Sequence, residues 1–219
     1  MSINLSVQSV LDSIESAQKN DIVPDQEFVL QGSVMDLSVS VLLSRLRGLC
    51  DNADSLPETF HDQEICFILK DFSNPGAVGP GTGGVMLRVR KALDHPELPW
   101  QLRYTGQPEV GNRPALLRNC LDVPVSSNIC DFLHELGAKV DHEYVSKGYI
   151  MRKGRIKVTV FKIFKVGGKE VQEGVTKSHV VELSALTTRV DEAIATDLRI
   201  VADQLKPLVN LQNLDYRRL

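Results

Sequence analysis

Cysteine is scarce. The 219 residues hold four (Cys50, Cys66, Cys120, Cys130), with no C-x-x-C pair and no metal-finger spacing. That argues against a disulfide framework or a zinc module, and the four read as buried small hydrophobes in a reducing compartment. Histidine is equally sparse. His61, His95, His134, His142 and His179 form no H-x-x-x-H or H-E-x-x-H, so no metal site is expected. Only Asp141-His142-Glu143 sets acid on both sides of an imidazole, and strand alternation would turn His142 away from both neighbours. No G-x-S-x-G elbow offers a hydrolase serine, and Cys50 and Cys130 fall at helical apolar positions that suit packing better than nucleophilic attack. The N-terminus lacks the basic start and apolar run of a secretory signal. No segment approaches the roughly 20 apolar residues of a membrane-spanning helix. The longest basic runs, Arg152-Lys153 and Arg217-Arg218 among them, are two residues each, and net charge is −3. Neither a nuclear-import run nor sequence-specific DNA binding is therefore expected.

Composition is that of a globular chain, 42% hydrophobic and 24% charged. Its organisation reads as a leader over residues 1–24 and a single domain over 25–219. In the leader Ile3, Val7, Val10, Leu11, Ile14 and Ala17 keep helical spacing, an amphipathic helix of about four turns that docks on its own domain more readily than on a partner. The stretch Glu27 to Asn52 begins as a strand, with Phe28 and Leu30 alternating against Glu27, Val29 and Gln31 before Gly32. It then becomes a helix through Val39, Leu42, Leu43 and Leu46, with Asp36 or Ser38 as the cap and Gly48 as the left-handed end. Further strands are expected at Ile65–Leu69, Val85–Leu93, Trp100–Tyr104, Ala115–Val123, Lys139–Ile150, Arg155–Val166 and Thr176–Leu186. A short helix capped by Ser126 or Ser127 should bury Ile129, Phe132, Leu133 and Leu136 and end at Gly137, and a last helix spans 190–206. Short turns between strands favour antiparallel pairing. From the residues alone the class is α+β with a large antiparallel sheet, either curved and open or closed into a barrel.

Two features invite a chemical reading. Gly79-Pro80-Gly81-Thr82-Gly83-Gly84 spells G-x-G-x-x-G, but a strand rather than a helix follows it, so a loop over 72–84 is the better account. From Tyr144 to Lys169 eight basic residues (Lys147, Arg152, Lys153, Arg155, Lys157, Lys162, Lys165, Lys169) occur without one acid. They would make a strip for acidic protein segments or a phosphate backbone, or the solvated face of two strands.

The blocks Glu27–Asn52, Pro99-Trp100-Gln101-Leu102-Arg103-Tyr104, Gly106-Gln107-Pro108-Glu109, Asp141-His142-Glu143-Tyr144, Lys162-Ile163-Phe164 and Gln204-Leu205-Lys206-Pro207-Leu208-Val209 resemble, in order, the family of the eighteenth subunit of the Mediator complex. The resemblance implies an antiparallel β-barrel of seven or eight strands, similar in architecture to the tunnel triphosphatases, with a few packed helices. It implies a nuclear, non-enzymatic scaffold without cofactor, linking transcription regulators to RNA polymerase II. It also implies pairing with the twentieth Mediator subunit and a tether through a helix of the eighth. Trp100 and Tyr104, four apart and so on one side of a strand, are candidate partner anchors, as are Arg152, Lys153 and Arg155. The rival readings are a tunnel-type RNA or nucleotide triphosphatase and a nucleic-acid module using the basic strip. A tunnel enzyme needs alternating glutamates for a divalent cation. The chain has no E-x-E; Val29 and Gln31 follow Glu27, and Asp141-x-Glu143 is the nearest substitute noted.

Overall fold

The structure, a computed structural model, describes residues 25–51, 56–70, 84–109, 111–167 and 174–214. The leader helix and nearly all of the glycine-rich loop lie outside the described residues. Eight strands are present: β1 (Gln26–Met35), β2 (Glu58–Lys70), β3 (Gly84–Ala92), β4 (Trp100–Thr105), β5 (Leu116–Val125), β6 (Lys139–Lys153), β7 (Ile156–Lys165) and β8 (Ser178–Thr187). They close into a barrel in the order β1-β5-β4-β3-β2-β6-β7-β8, with every pair antiparallel. Closure removes sheet edges that would otherwise invite aggregation. Among the described residues three helices pack on the outside: α1 (Val39–Leu49), α2 (Ile129–Glu135) and α3 (Glu192–Gln204).

Apolar side chains on the outer face of β1, β7 and β8 meet α1 and α3. Phe28, Leu30, Val158, Val160, Val181 and Leu183 are fully buried there, against Leu42, Leu46, Ala195 and Leu198. Each such side chain contributes about 1.5–3 kcal/mol by leaving water, which makes this the main core. A second cluster joins Phe67, Leu69, Val85 and Val89 to Ile129 and Leu133 of α2. The row Phe60–Gly148–Phe161 faces the lumen. The two rings meet there with centroids 6.2 Å apart, and a Cβ on Gly148 would stand 2.2 Å from the Val160 carbonyl oxygen, so only glycine fits.

Several expected details differ. β1 does not stop before Gly32, because Gln31 exchanges backbone hydrogen bonds with Gln212 (3.0 and 2.9 Å) and the missing side chain at Gly32 makes room for Asn210 and Leu211. Asp36 caps nothing. It sits in a 3-10 turn (Asp36–Ser38), and its carboxylate accepts from Lys162 and from His179 instead. Gly48 lies within α1, and extended Cys50 follows the helix. Asn128 precedes α2 with no side-chain cap from Ser126 or Ser127, whereas Gly137 is left-handed (φ 90°) as expected. Phe132 of α2 is 55% exposed rather than inward. His142 is not isolated, since its Nδ1 lies 2.7 Å from Asp141. The cause is a bulge: His142 opposes Cys66 while Val140 opposes Phe67, which leaves Asp141 as an extra residue and breaks the alternation.

Candidate functional site in the barrel lumen and along helix α1

Cross-strand partners share a face, so the ladder assigns the lumen. Glu27 pairs with Arg118, Arg103 with both Arg88 and Asp122, Arg90 with Glu64, Glu64 with Tyr144, and Lys157 with Ser184 beside Glu182. The inward set is therefore charged: Glu27, Asp62, Glu64, Asp122 and Glu182 against Arg88, Arg90, Arg103, Arg118 and Lys157. Apart from inward apolar residues such as Val29, Phe60 and Phe161, the same strands send most of their apolar side chains outward to the helices.

Most of these charges neutralise one another. Glu27, only 2% exposed, accepts from Nε and Nη2 of Arg118 through one oxygen (2.7 Å each), and Nη1 of Arg103 stands 3.7 Å from its other oxygen. Arg103 grips Asp122 with two bonds of 2.7 and 2.6 Å. Burial opposes ionisation of Asp122, yet the Arg103 bonds outweigh it and hold the carboxyl below its usual range. Burial, then the Glu64 charge, raise the Tyr144 phenol, so it keeps its proton and donates to Glu64 at 2.9 Å. Glu182 accepts from Gln31 at 2.6 Å, and Arg90 lies 3.9 Å from Asp62. Lys157 differs: burial and then the Arg90 charge lower its pKa, so its charge is disfavoured where it stands. Burial pushes the lumenal thiols Cys66 and Cys120 up to about 11 and about 12, so neither is a thiolate nucleophile at neutral pH.

Asp62-x-Glu64 is an acidic pair that sequence reasoning missed. Its signal was present, since Asp62, Glu64 and Cys66 alternate with the apolar Ile65, Phe67 and Leu69. Arg90 and Tyr144 engage its two carboxylates. Asp141 and Glu143, by contrast, are exposed near the start of β6. Among the described residues no group of three His, Cys, Asp or Glu side chains stands together to hold a metal ion.

The barrel's flank at α1 carries a groove of about 400 Å³ lined by Leu43, Arg47, Leu56, Ile150, Met151 and Arg152 among others. The β6–β7 hairpin is fastened to it. Lys153 Nζ donates to the Leu49 carbonyl at 2.7 Å, at the negative end of α1, and Asp51 bonds the backbone of Arg152 and Gly154 at 2.8 and 2.6 Å. The eight basic residues do not form one strip. Arg152, Arg155, Lys147 and Lys165 are exposed, Lys153 serves α1, Lys157 faces the lumen, and Lys162 is bound to Asp36 on the outside; Lys169 lies outside the described residues. Trp100 and Tyr104 do share the outer side of β4. They pack, partly buried, against the α2 cluster, with Lys91 Nζ 5.2 Å from the centre of the Trp100 ring.

The family model described as Med18 protein matches residues 26–95 and 82–219. A subunit 18 of the Mediator of RNA polymerase II transcription from Aedes aegypti is 47% identical over 220 residues, covering 100% of this chain and 98% of the relative. The chain belongs to the Mediator subunit 18 family. The Mediator subunit 18 of Danio rerio is 46% identical over 198 residues, 88% of this chain and 90% of its own length. Among solved structures, a chain of the Schizosaccharomyces pombe Mediator head module superposes with a TM-score of 0.66 at 16% identity, covering 86% of this chain and 98% of that one. The PH1012 protein of Pyrococcus horikoshii superposes at 0.55 and 13% identity, with 87% and 98% covered. At such identities the structural likeness speaks for the barrel fold alone. The family-model match begins at residue 26, where β1 begins, whereas the Aedes aegypti relative aligns over the whole chain.

Proposed function

We propose that this chain is a non-enzymatic scaffold subunit of Mediator, acting in the nucleus to relay signals from transcription regulators to RNA polymerase II through protein contacts. Family membership supports the assembly role. The observation that carries the non-enzymatic part is Glu27, whose carboxylate is spent on Arg118 and Arg103 inside the lumen. A divalent cation needs anionic oxygens, and those of Glu27 already face guanidinium groups. The twentieth subunit is the proposed heterodimer partner. The groove beside α1 is the proposed seat for a helix of the eighth, with the exposed Arg152 and Arg155 at its rim meeting acidic side chains.

Co-expression of the chain with the eighth and twentieth subunits tests this reading. A stable ternary complex should elute as one species, and Leu43→Asp together with Arg152→Glu should release the eighth subunit while the barrel stays folded by circular dichroism. No complex with either subunit would refute it. So would Mg²⁺- or Mn²⁺-dependent release of phosphate from RNA triphosphate that disappears in Arg88→Met and Lys157→Met variants.

A further inference from the structure

The outer face of the barrel is apolar and helix-covered along β1, β7 and β8, under α1 and α3, and again along β2, β3 and β4, under α2. Between these flanks the pattern breaks. His61, Lys147 and Lys162 stand directly opposite one another on β2, β6 and β7. They alternate with the lumenal Phe60, Gly148 and Phe161, so all three side chains point outward. Lys147 is exposed, and His61 and Lys162 are partly buried. The rows on either side, Thr59 with Tyr149 and Val160, and Gln63 with Val145 and Phe164, contain no acid.

Two lysines directly across a ladder repel one another, so the fold gains nothing from this pairing. Asp36 answers only part of the charge. Its carboxylate accepts from Lys162 and, at 2.9 Å, lies against His179 Nδ1. Among the described residues Lys147 makes no ion pair. Lys177, whose carbonyl accepts from the Asp36 N–H at 3.1 Å, adds a further exposed ammonium. Three lysines therefore meet one carboxylate. Apolar side chains stand among them: Leu37, next to Asp36, is 93% exposed, and Val175, whose N–H donates to Ile163 at 2.9 Å, is 51% exposed.

That mixture decides the occupant. An acidic protein segment carrying apolar side chains complements both the ammonium groups and the exposed Leu37 and Val175. A nucleic acid complements the charge alone, and its phosphates are best gripped by the planar fork of arginine, which this row lacks.

We propose that the outward face formed by Lys147, Lys162 and Lys177, with Leu37 and Val175 beside them, is a docking surface for an acidic, apolar-studded segment of a partner protein. It is separate from the α1 groove, which is lined on β6 by Ile150, Met151 and Arg152. It therefore stands whether or not that groove seats a helix.

The probe is a fluorescein-labelled peptide of repeated Asp-Leu-Glu-Phe units, titrated with the full chain and followed by anisotropy. Binding should weaken as salt rises. Lys147→Glu and Lys177→Glu should each lower affinity about tenfold, since each sets a like charge against the acidic peptide. Leu37→Ser should lower affinity while leaving the salt dependence unchanged. Arg189→Glu, beyond the opposite end of β8, should leave binding as it is. Stability should move the other way: Lys147→Glu turns the repulsion with Lys162 into attraction and should raise the melting temperature by about 1–4 °C. Damage to the fold would lower both. Absence of peptide binding by the parent would overturn the proposal, as would unchanged affinity in both lysine variants. So would a lowered melting temperature for Lys147→Glu, or a labelled oligothymidylate that binds this face more tightly than the peptide.

Discussion

Glu27→Ala is the substitution with the most to say about the lumen. Glu27 and Arg118 are 2% and 7% exposed, and their contacts of 2.7 Å leave no room for intervening water. Truncating the acid strands the Arg118 guanidinium without its carboxylate, while Arg103 keeps its two bonds to Asp122. Loss of one partner of a buried ion pair costs about 3–5 kcal/mol. A domain of this size holds about 5–15 kcal/mol in all and loses about 2–4 °C of melting temperature per kcal/mol. Melting should therefore fall by roughly 6–20 °C. Replacing both residues, Glu27→Met with Arg118→Met, should recover most of the loss, to within about 1–2 kcal/mol of the parent, since two apolar side chains of similar volume need no partner. Urea unfolding of the parent, both single variants and the double variant completes the cycle. A Glu27→Ala cost under about 1 kcal/mol, or a double variant worse than either single one, would refute the picture of a lumen closed by its own charges.

Lys157→Met should be more stable than the parent at pH 7, because burial disfavours the Lys157 charge. The sign with pH follows. A lysine whose folded pKa is lowered binds more protons unfolded, so the parent should gain stability as pH rises from the folded pKa toward 10.5, and the variant should lack that alkaline rise in urea titrations. Gly148→Ala should destabilise by about 1–3 kcal/mol, because its Cβ would fall 2.2 Å from the Val160 carbonyl oxygen and 2.6 Å from Phe161 Cα; a change below about 0.5 kcal/mol would show that the strands part freely. Lys153→Met should cost about 0.5–1.5 kcal/mol and speed hydrogen exchange in the last turn of α1, where the Leu49 carbonyl loses its donor.

Helix and strand order was legible because period carries it. Leu42 and Leu46, or Leu198 and Val201, are buried as their 3.6-residue spacing requires, and the turn at Gly154 (φ 56°) separates two strands where Arg152-Lys153-Gly154 suggested it. Which face of a strand looks inward was not legible. Arg88 and Arg90 alternate with Leu87 and Val89 as they would on a half-solvated sheet, yet closure turns the charged side into the lumen and the apolar side toward helices. Pairing with Arg103 on β4 decides that, and register is a long-range property that no local pattern carries. The same reason hid Glu27. Alone in sequence it reads as half of an absent acidic pair; beside Arg118, 91 positions away, it is an ion-pair partner. Lys162 shows the converse, since its partner Asp36 stands 126 positions away on the outside of the barrel. The bulge at Asp141 likewise depends on β2 and could not be read from β6 alone.

Affinity purification of the full chain from nuclear extract, with mass spectrometry of what accompanies it, tests the scaffold assignment most directly. The prediction is recovery of other Mediator subunits, the eighth and twentieth among them, in amounts comparable to the chain itself. Recovery of the chain without any Mediator subunit would contradict it.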